Sequence, residues 1–357
     1  MLNRLEVQGF KSIKKLNLKL DSLNVLIGAN GVGKSNLMSL FSLLYQLAKR
    51  NFQVHIGRSG GADSLLYFGR KTTNELLVTV SLKEIDYEIV CTPTLDNLLI
   101  FSKENMVLRS PIRKTRLSVS LGKGHRETNI EKGISRNGVK QLINVLLGLK
   151  VYHFNDTSAS SKMKQLNNVN DNVFLKTDAS NIASFIFLLR QKHPKHYNNI
   201  VDTIQMVAPF FDDFILRNNP FDNQQIQLEW KEKGSDAYFN AHSFSDGTLR
   251  FICLATLLLQ PNLPSVVLLD EPELGLHPSA ITILAGLLKS ASTKTQVIVS
   301  TQSVTLVNQF KPENIIVVDR DESQSTFKRL SQNDTNLWLE EYGLGDLWEK
   351  NIIGGRP

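Results

Sequence analysis

Cysteine is nearly absent from this sequence: Cys91 and Cys253 are the only two in 357 residues, and they stand far apart. They build neither a disulfide framework nor a CxxC metal site, which predicts a reduced, cytoplasmic setting. Runs such as Phe251 to Leu259 are the longest apolar stretches, far short of the ~20 residues a membrane span needs. The opening Met-Leu-Asn-Arg-Leu-Glu-Val lacks the basic-then-apolar order of a signal peptide. The seven histidines show no ligand spacing, and His193 and His196 lie in a polar run, so no histidine metal site is suggested. Internal repeats and coiled-coil heptads are missing as well. What remains is ordinary for a globular chain with a sizeable core: 41% hydrophobic and 21% charged residues.

Acidic charge is scarce in one place. Arg109, Arg113, Lys114, Arg116, Lys123, Arg126, Lys132, Arg136 and Lys140 face only Glu127 and Glu131, a local excess that equals the net +7 of the whole chain. Such a run is either a solvated face or a contact for phosphate backbones, where each cation releases a condensed counterion. It has no interleaved aromatics, so stacking on single-stranded bases has no support there.

Residues 2–20 alternate as two short strands around Gly9-Phe10, and Asn24 to Gly28 reads as a buried parallel strand. From Ser35 the spacing turns helical, with Leu37, Leu40, Phe41, Leu44 and Leu47 on one face. Residues 76–108, with turns at Pro93 and Asp96-Asn97, predict an antiparallel meander. Helices are expected over 139–149 and 180–216, broken at Pro194 and Pro209. A helix over Leu249–Leu259, a strand over Ser265–Leu269, a further helix and a strand over Gln296–Ser300 imply a parallel α/β sheet.

Gly28-Ala29-Asn30-Gly31-Val32-Gly33-Lys34-Ser35 fits G-x-x-x-x-G-K-[ST] without mismatch. Its glycines let backbone N–H groups turn inward around phosphates, and the helix that follows adds its positive end. Lys34 is expected on the β- and γ-phosphates and Ser35 on Mg²⁺. Chance yields such a match roughly once or twice in a hundred chains of this length, and the flanking strand and helix lower that further. Val266 to Leu269 is an apolar strand that ends in Asp270 and Glu271. Asp270 suits Mg²⁺ and Glu271 the general base that polarises the attacking water, rather than a plain helix-capping Asp-Glu-Pro.

Together these motifs resemble the ABC-type ATPases of the SMC, RecF and OLD group. Gly9-Phe10-Lys11-Ser12 looks like their GFKS element, and Gly28 to Asn36 is similar to their GxNGxGKSN loop. Ser245-Asp246-Gly247-Thr248 with Arg250 looks like their signature, Asp270 to Pro278 like Walker B plus D-loop, and Ser300-Thr301-Gln302-Ser303 like the switch. The resemblance implies an α/β head with a parallel-sheet P-loop core, an antiparallel β lobe and a helical lobe. Residues 1–50 and 239–330 would form the core, 51–238 the inserted lobes and 331–357 an aromatic tail. It further implies Mg²⁺-dependent ATP hydrolysis by Glu271, Lys34 and Gln302, with ATP held by Lys11, Asn30, Gly31, Gly33, Lys34, Ser35 and Asn36. In the family two heads sandwich two nucleotides, so Ser245 and Gly247 would act in trans within a homodimer or higher homo-oligomer. Alone, Ser245 is merely a good N-cap, and His277 equally a local hydrogen-bonding group.

Three departures bear on turnover and partners. Gln302 stands where transporters carry histidine and cannot carry charge, which predicts slow turnover. No glutamine marks a Q-loop; Val151 to Asp156 is the candidate position, or a plain strand end. The 37 residues after Arg320 are too few for the Toprim nuclease of OLD-type proteins, which predicts a separate nuclease or toxin partner. Trp338 and Trp348 in the tail read as a closing amphipathic helix or as a docking segment. The setting expected by analogy is nucleic-acid-directed, in DNA repair or antiphage defence. Two other readings are a transporter's nucleotide-binding subunit and a non-hydrolysing ATP-clamped scaffold. Gln302, the absent Q-loop and Ser-Asp-Gly-Thr count against the first, and the acid pair Asp270-Glu271 counts against the second.

Overall fold

The computed structural model describes residues 1–110, 115–133, 136–334 and 342–355. The chain forms two compact units: Met1–Val151 with Ser265–Leu268 and Thr295–Pro357, and Tyr152–Pro264 with Leu269–Lys294.

The first unit opens with β1 (Arg4–Phe10) and β2 (Ile13–Lys19), an antiparallel hairpin turned at Lys11-Ser12. It continues through β3 (Leu23–Ile27), α1 (Lys34–Ala48), α2 (Phe52–Arg58) and α3 (Ala62–Leu65). Then come β4 (Leu76–Ser81), β5 (Ile85–Pro93), β6 (Leu99–Ser110), β7 (Thr115–Gly122), α4 (Arg136–Gly148) and β8 (Val151–Tyr152). The expected meander is present: β2-β1-β4-β5-β6-β7 make one antiparallel sheet of six strands. Period-two alternation in β1 and β4 turns Leu5, Val7, Leu76, Val78 and Val80 to the core.

The second sheet has the order β18-β17-β3-β16-β15-β8, with β15 (Val266–Asp270), β16 (Gln296–Thr301), β17 (Ile315–Asp321) and β18 (Gln324–Arg329). β16 and β17 flank β3 in parallel and β18 adds an antiparallel edge. All five residues of β3 are buried, as a central parallel strand requires. The apolar stripe of α1, Leu37, Leu40, Phe41, Leu44 and Leu47, is fully buried in one core with residues of both sheets. The unit closes with α9 (Val304–Val307) and α10 (Leu344–Glu349). Trp348 on α10 is wholly buried and its indole N–H donates to the Gly355 carbonyl. It is therefore a closing contact and not an exposed docking anchor, whereas Trp338 lies outside the described residues.

One buried polar knot pins the antiparallel sheet. Glu104 has no exposed surface, yet accepts from the Tyr87 hydroxyl (2.5 Å), the Asn129 backbone N–H (2.9 Å) and the Thr128 hydroxyl (2.5 Å), with His125 Nε2 at 2.7 Å. His125 in turn stacks on Phe101 at 4.8 Å. Removing the acceptor of a buried hydrogen-bonded network leaves its donors unpaired, at a cost of about 1–3 kcal/mol for each buried donor. Glu104→Ala is expected to lower the urea midpoint of this unit accordingly. A midpoint within error of the parent's would show that water replaces the carboxylate.

The second unit carries four helices, α5 (Ile182–Lys192), α6 (Pro194–Val207), α7 (Asp246–Leu259) and α8 (Pro278–Ser292). Two small antiparallel sheets accompany them, β10-β13-β14 (Phe211–Ile215, Glu229–Glu232, Tyr238–Asn240) and β11-β12-β9 (Asn218–Asn219, Asp222–Ile226, Asn167–Asn168). Here the helical expectation over 180–216 needs correction. Pro194 opens α6 at its first turn, α6 ends before Pro209, and Phe211 to Ile215 pair with β13 as a strand. The reason is aromatic packing: Phe211 and Phe214 are buried, and Trp230 stacks on Phe211, Phe239 and Phe244 within 6.1 Å. That gain outweighs local propensity.

Candidate functional site

In the first unit, β3 leads straight into the glycine loop. Gly28, Gly31 and Gly33 have φ of +152°, +80° and +122°, a region where side chains are strained. Two of them are also forced by space: a Cβ at Gly28 would lie 2.2 Å from the Val318 carbonyl oxygen, and one at Gly33 2.1 Å from Ser325 Oγ. Gly31 meets nothing within 4 Å, so only its backbone angle requires glycine.

Lys34 follows at the start of α1. It is 5% exposed, and its Nζ donates to the carbonyls of Gly28 and Ala29 (3.0 Å to the latter). Holding an ammonium inside the loop places positive charge where the loop's N–H groups and the helix dipole add to it. α1 has no acidic residue in its first turn and no side-chain cap. Asn30, Gly31 and Ser35 are exposed. Asn36 Nδ2 donates to Ser12 Oγ at 2.6 Å, Ser12 Oγ lies 2.6 Å from Ser325 Oγ, and Ser325 donates to the Val32 carbonyl at 2.5 Å. Ser325, on β18, was not legible as part of this cradle, since no sequence signal links positions so far apart. Lys11 has φ +45° and donates to Ser39 Oγ on α1 at 2.7 Å, and burial lowers its pKa.

Gln302 follows β16, whose Thr301 is in register with Ile27 of parallel β3. Both strands therefore end at one sheet edge, the edge where α/β sheets bind ligands. Ser303 caps α9 through its side chain. Thus Lys11, Asn30, Gly31, Gly33, Lys34, Ser35, Asn36 and Gln302 gather around one loop and one edge.

The second unit holds the other cluster. Ser245 caps α7, its Oγ accepting from the Thr248 N–H at 3.2 Å, and it is exposed. Gly247 approaches the 271–278 loop so closely that a Cβ would sit 2.5 Å from the Gly275 carbonyl oxygen. Arg250 ties this together: Nη1 donates to the Leu274 carbonyl (2.7 Å) and Nη2 to that of Asn155 (2.9 Å). The segment after β8 is thus bonded to α7, through a side-chain-to-backbone contact that no motif shows. Asp270 ends β15 half-buried, and Glu271 takes φ +46°, an uncommon conformation for a non-glycine residue and costly to hold. His277 caps α8, accepting from the Ser279 N–H at 3.3 Å.

The basic run is not one face. Arg109 pairs with Asp86 at 3.0 Å and Arg126 with Asp96 at 3.6 Å, whereas Arg116, Lys123, Lys132 and Lys140 are exposed. Glu127 caps α2 through the N–H groups of Phe52 and Gln53. Arg113 and Lys114 lie outside the described residues. Burial raises the thiol pKa of both cysteines, leaving them inert packing groups.

Among the described residues no cluster of three or more His, Cys, Asp or Glu side chains could cage a metal. An exposed hydroxyl such as that of Ser35 is a donor type that suits an Mg²⁺ ion keeping its waters and taking the rest of its shell from substrate phosphates.

A glycine loop after the central strand of a parallel sheet, an antiparallel sheet sharing its core, and a helical unit define the fold of an ABC-type ATPase head of the SMC and RecF group. The chain belongs to the family described as "AAA domain, putative AbiEii toxin, Type IV TA system", whose model matches residues 108–308, more than half its length. A second family, described as a protein of unknown function (DUF2813), matches residues 1–57. Among solved structures, an SmcHead bound to the C-winged helix domain of ScpA is similar at 18% identity and TM-score 0.60, covering 94% of this chain and 99% of that one. The Smc head domain of Pyrococcus furiosus with an extended coiled coil, bound to the C-terminal domain of ScpA, gives 18% and 0.54, covering 95% and 98%. No curated protein matches. Among the described residues no helix is long and apolar enough to cross a membrane.

Proposed function

We propose that this chain binds and hydrolyses ATP with Mg²⁺, as a head dimer that regulates a nucleic-acid-directed activity. The observation that carries this reading is Lys34, held within a loop of three positive-φ glycines at the N-terminus of a 15-residue helix. In this reading Asn30, Gly31, Gly33, Lys34, Ser35 and Asn36 hold the phosphates and Lys11 supports them from the hairpin turn. Ser35 and Asp270 hold Mg²⁺, which when bound neutralises phosphate charge. Glu271 accepts the proton of the attacking water, and Gln302 orients that water or the γ-phosphate by hydrogen bonding. Ser245 and Gly247, at the start of α7, cap the γ-phosphate of a partner head.

The ATPase core would comprise 1–50 and 239–330, with lobes inserted between. The effector under control is proposed to be a separate toxin or nuclease, and the Smc head bound to ScpA gives a precedent for a protein partner. Steady-state ATP hydrolysis with and without duplex DNA tests the reading. Stimulation by DNA supports nucleic-acid coupling, DNA-indifferent hydrolysis points to a protein trigger, and no hydrolysis under any condition removes the ATPase claim.

The basic run from Arg109 to Lys140 is proposed to contact duplex phosphates. Reversing Arg113, Lys114 and Arg116 to glutamate is expected to weaken duplex binding at least tenfold and to flatten its salt dependence, by about one unit of slope for each phosphate no longer neutralised. ATP hydrolysis without DNA should not change. Unaltered duplex affinity in a filter-binding titration would remove this patch.

A further inference from the structure

Residues 343–355 carry no phosphate-binding motif, yet they end against the phosphate loop. Their anchored end is α10, which packs on α9. The Gly345 N–H donates to Asn308 Oδ1 at 2.6 Å, and a Cβ at Gly345 would lie 2.6 Å from the Val304 carbonyl oxygen. Leu344, Leu347 and Trp348 of α10 are buried. After α10 the chain turns back at Asn351 (φ +55°), and the Ile352 N–H donates to the Leu347 carbonyl at 2.9 Å.

Gly354 and Gly355 follow, with φ of +80° and +65°, angles that favour glycine. Gly355 is held from two directions. Its N–H donates to Asp319 Oδ2 on β17 at 3.2 Å, and its carbonyl accepts from the Trp348 indole N–H. An indole has that one donor alone, and in a wholly buried ring it goes to Gly355. So placed, Gly355 lies against the first residue of the phosphate loop. A Cβ on it would be 3.6 Å from Gly28 Cα, 3.3 Å from the Val318 carbonyl oxygen and 2.6 Å from Val317 Cγ1. The same Val318 oxygen is the atom that excludes a Cβ from Gly28. The Gly28 carbonyl in turn accepts from Lys34 Nζ. A continuous line of contacts therefore runs from Trp348 through Gly355 and Gly28 to the ammonium of the loop.

We propose that residues 343–355 are a clamp for the phosphate loop, in which Trp348 and Gly355 act as positioning residues: they back Gly28 and so keep the Gly28 carbonyl and Lys34 in the arrangement that receives phosphates. This rests on the nucleotide reading above and extends it to a segment far from the motif in sequence. Linkage makes the effect reciprocal: a segment that favours the ATP-holding loop must itself be held more firmly when ATP is bound.

Calorimetric titration of the full chain with Mg²⁺-ATP, together with amide hydrogen exchange, tests it. Gly355→Ala sets a Cβ against Val317 on a left-handed residue, and Trp348→Phe keeps a buried ring while removing its N–H. Each variant is expected to bind Mg²⁺-ATP about 5- to 150-fold more weakly per folded molecule, the usual range of coupling between two sites. A merely structural role would lower the nucleotide-free Tm and leave that affinity unchanged. In the parent, saturating Mg²⁺-ATP should slow amide exchange at Gly354 and Gly355. Parental affinity in either folded variant overturns the clamp while the phosphate loop stands. An exchange rate that ATP does not alter overturns it as well, and that measurement needs no variant to fold. If the parent itself fails to bind Mg²⁺-ATP, the phosphate-loop reading fails, and the clamp with it.

Discussion

Glu271→Gln is expected to slow ATP hydrolysis by about 10²- to 10⁴-fold while ATP binding stays within a few-fold of the parent, the range that removing a positioned general base produces. Glutamine keeps the size and shape of glutamate, so packing of the half-buried side chain is preserved. It cannot accept the proton of the attacking water. The backbone supports such a role: Glu271 sits at φ +46° directly after β15, and the Leu274 N–H donates to its carbonyl at 3.2 Å, fixing the turn in which it stands. Single-turnover hydrolysis with Mg²⁺-ATP measures the rate, and light scattering of the same sample follows the ATP-bound dimer, which should accumulate. A hydrolysis rate equal to the parent's would refute the assignment of Glu271 as the base.

Lys34→Met should weaken Mg²⁺-ATP binding by about 10²-fold or more, the scale of removing one member of a desolvated charge pair. The parent ammonium is nearly enclosed, and among its partners are the carbonyls of Gly28 and Ala29, dipoles that hold it in place without neutralising it. Such a group gains strongly when phosphate oxygens enter the loop. Methionine retains the aliphatic stem, so thermal unfolding without nucleotide should move little, while nucleotide-induced stabilisation should vanish. Persistence of that stabilisation in the variant would show that the phosphates rest elsewhere.

Much of the fold was legible because its parts are local. The helical stripe of α1, the buried run of β3 and the alternation in β1 and β4 each follow from spacing within one segment. The loop Gly28 to Ser35 was legible for the same reason: its chemistry is written in eight consecutive residues. The strand at Phe211–Ile215 was not, because what makes it a strand is the stack on Trp230, a partner brought from elsewhere in the chain. The basic run shows the opposite error. Counted along the sequence it is uniform, but Arg109 and Arg126 are already engaged by Asp86 and Asp96, and the described Arg116, Lys123, Lys132 and Lys140 are divided among β7, loops and α4.

Near-neighbour chemistry in the chain determines the glycine loop, the acid pair after an apolar strand, the parallel and antiparallel strand classes and the family likeness, since glycine angles, helix capping and strand alternation act over short spans. Long-range packing alone establishes that Ser325 and Ser12 brace the loop, that Gly247 must be glycine to pass Gly275, and that Trp348 is interior. Those facts depend on which distant segments are pressed together, and that is set by the burial of the whole core rather than by any motif.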